Sequence, residues 1–364
     1  MAMVAASTIL DATGQHLFVL PDKESAAYFC NDLEYLLLQR DLDFTQKKIL
    51  FYPTSYRRPY EIEKTDNANV LLRSEVITKS GTAKRLAIVS YPEALIEKVV
   101  TRSFLSKNTF NLSIKEGLDV DFLLEFLTDY RFERVDFVLE PGQFSVRGGI
   151  VDVFSFANDL PFRIELGGNT IESLRTFDPE TQLSVSKYNH ITITPNTQNR
   201  DQNEKHISIF EYLGNNTTLW FADLSYTIDK INDEYKKSLD IFEQLESTIN
   251  QLPPHELFVS EQEFIRNISS HCCIELSNNA FLNNSAKLEF NTLAQPSFNK
   301  NFELFYQTIL DLTQRNFTIA VTSDNPKQLQ RIESIITDMS ADKSEKKPVC
   351  NYIQLSVHEG FIDN

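Results

Sequence analysis

Between Phe144 and Asp178 the chain carries three arginines, Arg147, Arg163 and Arg175, interleaved with carboxylates that include Asp152, Glu165, Glu172 and Asp178. A guanidinium is a planar fork of five donors that matches a carboxylate or phosphate in bidentate fashion, and it is a residue type that concentrates binding energy at protein interfaces. Paired carboxylates can instead perform acid–base chemistry. Here they fall at strand and turn positions, no nucleophile lies in register with them, and arginines stand near enough to pair with them. The chemistry on offer is that of a docking surface.

Other chemistries are poorly served. A nucleotide site needs G-x-x-x-x-G-K-[ST] ahead of its first helix. The first helix is expected near Val4, so almost nothing precedes it, and Lys79-Ser-Gly81-Thr-Ala-Lys84-Arg has the residue types in the wrong order. Tyr52, Tyr56 and Tyr60 with Arg57-Arg58 mix aromatic and basic side chains, the composition of a base-stacking surface, although the run is short. Neither His255-Glu256 nor His358-Glu359 has the second histidine of H-E-x-x-H, and Cys30, Cys272, Cys273 and Cys350 form no C-x-x-C pair. Free thiols and no metal are expected.

The elements that must position the arginines are short β-rich runs. Pro141-Gly142-Gln143 and Gly167-Gly168-Asn169 are turns between apolar, β-rich segments, which predicts a small antiparallel sheet. Arg147 precedes Gly148-Gly149, where a bulge would turn its side chain outward. Arg175 follows the hairpin and either joins the docking surface or pairs instead with Asp178 at the following turn. Residues 109–195 also hold one helix, near Asp119–Tyr130, and together form an α+β insert.

Flanking the insert, continuous apolar runs at Leu17–Leu20, Ile49–Phe51 and Leu86–Val89 suit strands buried on both faces. Asp22 caps a helix with Ala26, Phe29, Cys30, Leu33, Leu36 and Leu37 on one side, and Pro92–Val100 is expected to be the next helix. This is a parallel α/β pattern. A polar, turn-rich boundary is placed at Pro195–Asn203. Beyond it, a helix pair over Ser225–Asn250, helices over Asn301–Gln314 and Pro326–Thr337, and a strand over Phe317–Val321 are expected to complete the first sheet. The predicted domains are thus 1–108, 109–195 and 196–364.

The Phe144–Asp178 stretch resembles the second domain of the UvrB-like module shared by UvrB and the transcription-repair coupling factors (Mfd). The resemblance extends to Phe51–Tyr60, Thr65–Leu72 and Tyr91–Leu95 and returns near Val357–Asp363. It implies a parallel-sheet, degenerate helicase-like α/β domain without a nucleotide site, interrupted by an insert that captures the excision-repair protein UvrA. Arg147 and Arg163 match the family's contact arginines; Phe144, Phe162, Glu165 and Arg175 complete the implied UvrA-binding set. The chain departs from the family pattern where Leu166-Gly167-Gly168 replaces a run with an aromatic at position 167, a lost contact that Phe162 or Phe156 would have to supply, and where Ser155 replaces a proline. The long tyrosine hairpin with which UvrB probes damage is missing.

The resemblance further implies a non-catalytic recruiting module of an ATP-dependent DNA translocase. ATP and Mg, RNA polymerase and duplex DNA would be engaged by parts of such a protein outside this chain. Two alternatives stay open: a fragment of a UvrB-like damage-verification helicase, and a generic α/β interaction scaffold.

Composition agrees with a folded, non-basic protein. In 364 residues, 41% are hydrophobic and the net charge is −16. Even residues 131–175 hold five arginines against seven carboxylates. That balance weighs against a broad nucleic-acid surface, which needs Lys and Arg to neutralise phosphates. No basic region precedes an apolar stretch at the start, and no apolar run nears the roughly 20 residues of a membrane span. A cytoplasmic location without membrane partners is expected, and the abrupt start and end suggest a piece of a longer protein.

Overall fold

The computed structural model describes residues 1–38, 49–56, 59–60, 66–196, 205–245, 251–277, 281–282, 286–342 and 347–363. Arg57, Arg58 and most of the expected 195–203 boundary lie outside them. The chain divides into two compact units, one comprising Asp11–Ala27 and Lys47–Leu282, the other Met1–Leu10, Tyr28–Gln46 and Asn283–Asn364.

The chain begins with α1 (Ala2–Asp11), β1 (Gly14–Val19), α2 (Lys23–Leu38), β2 (Ile49–Phe51), α3 (Asn67–Ser80), β3 (Arg85–Ser90), α4 (Pro92–Leu95), β4 (Val99–Val100) and α5 (Arg102–Lys107). The insert follows, with β5 (Phe110–Ser113), α6 (Val120–Asp129), β6 (Glu133–Arg134), β7 (Gln143–Arg147), β8 (Ile150–Val153), β9 (Phe162–Gly167), β10 (Thr170–Phe177), β11 (Ser184–Tyr188) and β12 (His190–Ile193). The chain then returns through β13 (His206–Ile207), α7 (Ile209–Leu213), β14 (Thr217–Phe221), α8 (Leu224–Gln244), α9 (Pro254–Leu257), α10 (Glu261–Ile268) and β15 (Cys272–Glu275).

In the larger unit, a five-stranded parallel sheet runs β15-β14-β1-β3-β2. Its central strands are continuous apolar runs because both faces are covered; Leu17, Phe18 and Val19 are fully buried. Asp22 accepts a hydrogen bond from the Ser25 amide at 2.8 Å, as expected of a cap, and Asp66 and Asp223 cap α3 and α8 in the same way. The helix expected over Pro92–Val100 is only one turn, α4. At β4 the chain is extended and pairs with β13, so the apolar Val99-Val100 reflects a strand. Of the helix pair expected over Ser225–Asn250, the described residues form one 21-residue helix, α8, and residues 246–250 lie outside them.

The insert is a six-stranded sheet of order β11-β10-β9-β8-β7-β6, antiparallel except where β6 runs parallel to β7. Phe144, Val151, Val153, Phe162, Ile164 and Leu174 form its inner face. They pack with Leu123 and Leu127 of α6 and with Ile191 and Ile193 of β12. At the base of the insert its two ends are zipped together, β5 against β12, in an antiparallel neck that pairs Phe110 with Ile193.

The last segment holds β16 (Thr292–Ala294), α11 (Phe302–Gln314), β17 (Ile319–Ser323), α12 (Pro326–Asp342), β18 (Cys350–Gln354) and β19 (Phe361–Asp363). The strand expected to extend the first sheet, β17, pairs in parallel with β18 instead. Its residues alternate between half-buried and exposed, so it lacks the two-sided burial of a central strand. Tyr306, Ile309 and Ile336 form a small core beside it.

Candidate docking site

The arginines lie on the insert sheet face opposite its core. Register sets Ser145 beside Asp152, Asp152 beside Arg163, Arg163 beside Arg175 and Arg175 beside Lys187, a row across five strands. Because side chains alternate along a strand, every member of the row shares one face.

At the centre is Asp152, fully buried. Its Oδ1 accepts from Arg163 Nε at 2.7 Å, and its Oδ2 accepts from Arg163 Nη2 at 2.8 Å and from Arg147 Nη2 at 2.5 Å. A buried carboxylate is costly unless paired and hydrogen-bonded; here two guanidinium groups share it. Arg163 spends its remaining reach on Gln182, donating from Nη1 to the carbonyl at 3.3 Å and from Nη2 to Oε1 at 3.1 Å, and its Cζ lies 4.2 Å from the Phe177 ring centroid. Only 13% of its side chain is exposed. The Asp152 hydrogen bond lifts the Arg163 pKa above its ordinary value.

Arg147 is placed differently. It closes the two-residue hairpin Arg147-Gly148-Gly149-Ile150, in which Arg147 pairs with Ile150 and Gly148 adopts φ +59°. The expected bulge is therefore a tight turn, because the two glycines supply the turn itself. The Arg147 side chain is 40% exposed. Among the described residues, Nη2 is its one hydrogen-bonded nitrogen, and its Cζ lies 5.2 Å from the ring of Phe137. Arg134, Asp136, Phe137, Ser145 and Arg147 line a shallow, open concavity there.

Arg175 donates from both Nη atoms to Glu165, with Nη1–Oε2 at 3.0 Å. Its alternative partner Asp178 is occupied elsewhere: Oδ1 accepts from the amides of Glu180 and Thr181 and from the Thr181 hydroxyl. The backbone hydrogen bond from Thr181 holds the Asp178 carboxyl below its usual pKa. Of the six residues expected to contact a partner, Phe144 and Phe162 are corrected here. Each is 3% exposed and faces the core, one position out of phase with the arginine row. Phe156, the other candidate to replace the aromatic at position 167, is equally buried. Phe137, which sequence reasoning missed, is 58% exposed. It belongs to an irregular segment between strands, where no periodicity marks a surface position.

The other sequence motifs resolve into structure. Tyr52, Tyr56 and Tyr60 are buried, so they are not a stacking surface. The Arg73 Cζ sits 4.1 Å from the Tyr52 ring centroid, and Arg73 pairs with buried Glu97 at 3.3 Å. Burial pushes the Tyr52 phenol pKa upward. Lys79 and Gly81 fall at the carboxyl end of α3, the wrong end of a helix dipole for a phosphate. His358 stacks on Tyr28 at 3.6 Å. Among the described residues no group of three His, Cys, Asp or Glu could hold a metal, and no helix is long and apolar enough to cross a membrane.

The segment that carries this row, from β5 through β12, has a recognisable counterpart. Residues 110–198 match the model of the UvrB interaction domain family. The chain is also similar to transcription-repair-coupling factors. It is 30% identical over 178 residues to that of Myxococcus xanthus, covering 49% of this chain and 15% of the relative. Against that of Bacillus subtilis it is 29% identical over 195 residues, covering 53% and 16%. It is 27% identical over 185 residues to the UvrABC system protein B of Thermosipho africanus, covering 49% and 28%. The chain therefore spans between 15% and 28% of the length of these three relatives.

Proposed function

We propose that this chain is a non-catalytic module that recruits UvrA to nucleotide excision repair, with residues 109–195 as the docking domain and 1–108 and 196–364 as its support. The observation that carries this reading is the coincidence of the UvrB interaction domain match with a sheet face that presents Arg147 on a tight hairpin above a buried carboxylate. The similarity to transcription-repair-coupling factors supports a role in which a longer protein links RNA polymerase stalled at DNA damage to repair. ATP, Mg, duplex DNA and the polymerase are then engaged by other parts of that protein, and this module works without a cofactor.

The test is a surface-binding titration of purified UvrA from the same organism against this chain. Saturable binding supports the reading, and no binding defeats it. The similarity to UvrABC system protein B favours a second reading, a UvrB-like damage-verifying fragment. It requires nucleotide binding and lesion preference, and the titrations described in the Discussion separate the two.

A further inference from the structure

The outer face of the insert sheet divides its arginines into spent and unspent. Arg163 has its fork on Asp152 and Gln182, and Arg175 has its fork on Glu165. Arg147 keeps Nε and Nη1 without a hydrogen-bond partner among the described residues, and an exposed aromatic ring, Phe137, lies beside its guanidinium. An apolar face joined to a planar cation is the composition of an interface anchor.

We propose that Phe137 and Arg147 are the contact centre of the docking face, that they receive a carboxylate-bearing segment of the partner, and that buried Asp152 is the positioning residue that fixes the Arg147 fork. This inference rests on the recruiting role proposed above. Charge complementarity selects the occupant: Asp152 takes one hydrogen of Arg147 Nη2, which leaves one edge of the guanidinium, built from the second Nη2 hydrogen and a neighbouring N–H, for a carboxylate. A polyanionic duplex would meet a chain of net charge −16. Asp152 holds Nη2 of Arg147 at 2.5 Å while its other oxygen and Arg163 anchor it from behind. The fork is thus oriented before any partner arrives, which lowers the ordering cost of binding.

The experiment uses the whole chain and purified UvrA in a surface-binding titration, with unfolding curves for every variant and Arg331→Ala as control. Phe137→Ala and Arg147→Lys should each weaken binding at least about tenfold without moving the unfolding midpoint, since anchor residues at an interface cost that much or more. Lysine keeps the charge and loses the fork.

Asp152→Asn should also weaken binding, and in that background Arg147→Ala should cost at least about fivefold less than in the parent. Such non-additivity marks residues acting as a unit, which a merely structural carboxylate would not produce. Where Asp152→Asn does not fold, Arg147→Lys alone decides whether fork geometry matters, because it leaves the Asp152–Arg163 pair intact. Binding within about twofold of the parent for both Phe137→Ala and Arg147→Lys overturns this inference and leaves the recruiting role standing. A parent chain that does not bind UvrA overturns both. Duplex DNA binding that is lost in Arg147→Ala would assign the face to nucleic acid and overturn the choice of occupant.

Discussion

At the residue scale, Arg147 and Arg163 look alike in sequence yet differ in what they hold up. Arg163→Ala removes the bidentate partner of a buried carboxylate, and losing one side of such a pair costs on the order of 3 kcal/mol. Arg147→Ala leaves that bidentate pair in place and removes a side chain that is two-fifths exposed, so its stability cost should stay under about 1 kcal/mol. Urea denaturation midpoints at unchanged slope check both. Equal destabilisation by the two would contradict the division of labour. Phe144→Ala should cost about 3–5 kcal/mol, as removal of a packed core ring does. Any loss of UvrA binding in that variant should track the unfolded fraction. The residue types of the site were legible in the sequence. Which arginine keeps open donors was not, because that depends on which strand neighbour takes both oxygens of Asp152.

At the element scale, two turns hold the docking face in shape. In the β7–β8 hairpin, a Cβ on Gly149 would stand 2.9 Å from the Leu166 carbonyl oxygen, a backbone atom that cannot swing away. Gly148 has open space around it but a left-handed φ. Gly148→Ala should therefore cost only the left-handed penalty, about 1–2 kcal/mol, and Gly149→Ala should cost more; thermal unfolding ranks them, and the reverse order would be wrong for this turn. In the β10–β11 turn, Asp178 organises Thr181 and hence Gln182, which Arg163 grips. Its folded pKa lies below the unfolded value of about 3.9. The sign follows: this contribution is present above that value and is lost as pH falls through the lower folded one. The Thr181 amide resonance should titrate below about pH 4, and Asp178→Asn should keep the turn while abolishing the titration. A Thr181 resonance flat to pH 2 would count against it. Strands β7 to β10 were legible because glycine turns punctuate apolar runs. The short β4 was not, since Val99-Val100 fits a helix or a strand equally well until β13, more than a hundred residues later, pairs with it.

At the scale of the whole molecule, charge and topology set what the chain can meet. Isothermal titration with Mg-ATP should give no heat above dilution. The Lys79–Gly81 run sits at the carboxyl end of α3, and aspartates already occupy the amino ends of α2, α3 and α8. Micromolar binding would revive the UvrB-like reading. Duplex DNA should bind weakly and without lesion preference at about 0.15 M salt, where exposed charges are screened beyond about 8 Å. A filter-binding titration with damaged and intact duplexes checks this, and selective retention of the damaged one would refute it. The parallel α/β pattern of the first part was legible from its doubly buried strands. That the last segment makes its own small sheets was not, because Phe317–Val321 reads as a mostly apolar run, and only its pairing with β18 and its half-exposed alternation distinguish it from a central strand.

The antiparallel neck between β5 and β12 also bears on how the chain folds. To complete the parallel sheet, β14 must find the free edge of β1 after a long excursion from the end of β3. Once Phe110 pairs with Ile193, most of that excursion is short-circuited, and the loop left to close is roughly a third as long. Closure entropy grows with the logarithm of loop length, so the saving is about 1 kcal/mol, or roughly fivefold in the rate of closing. The insert is then a kinetic staple for its host as well as a passenger upon it: a variant that leaves the insert unfolded should slow refolding of a sheet it does not belong to.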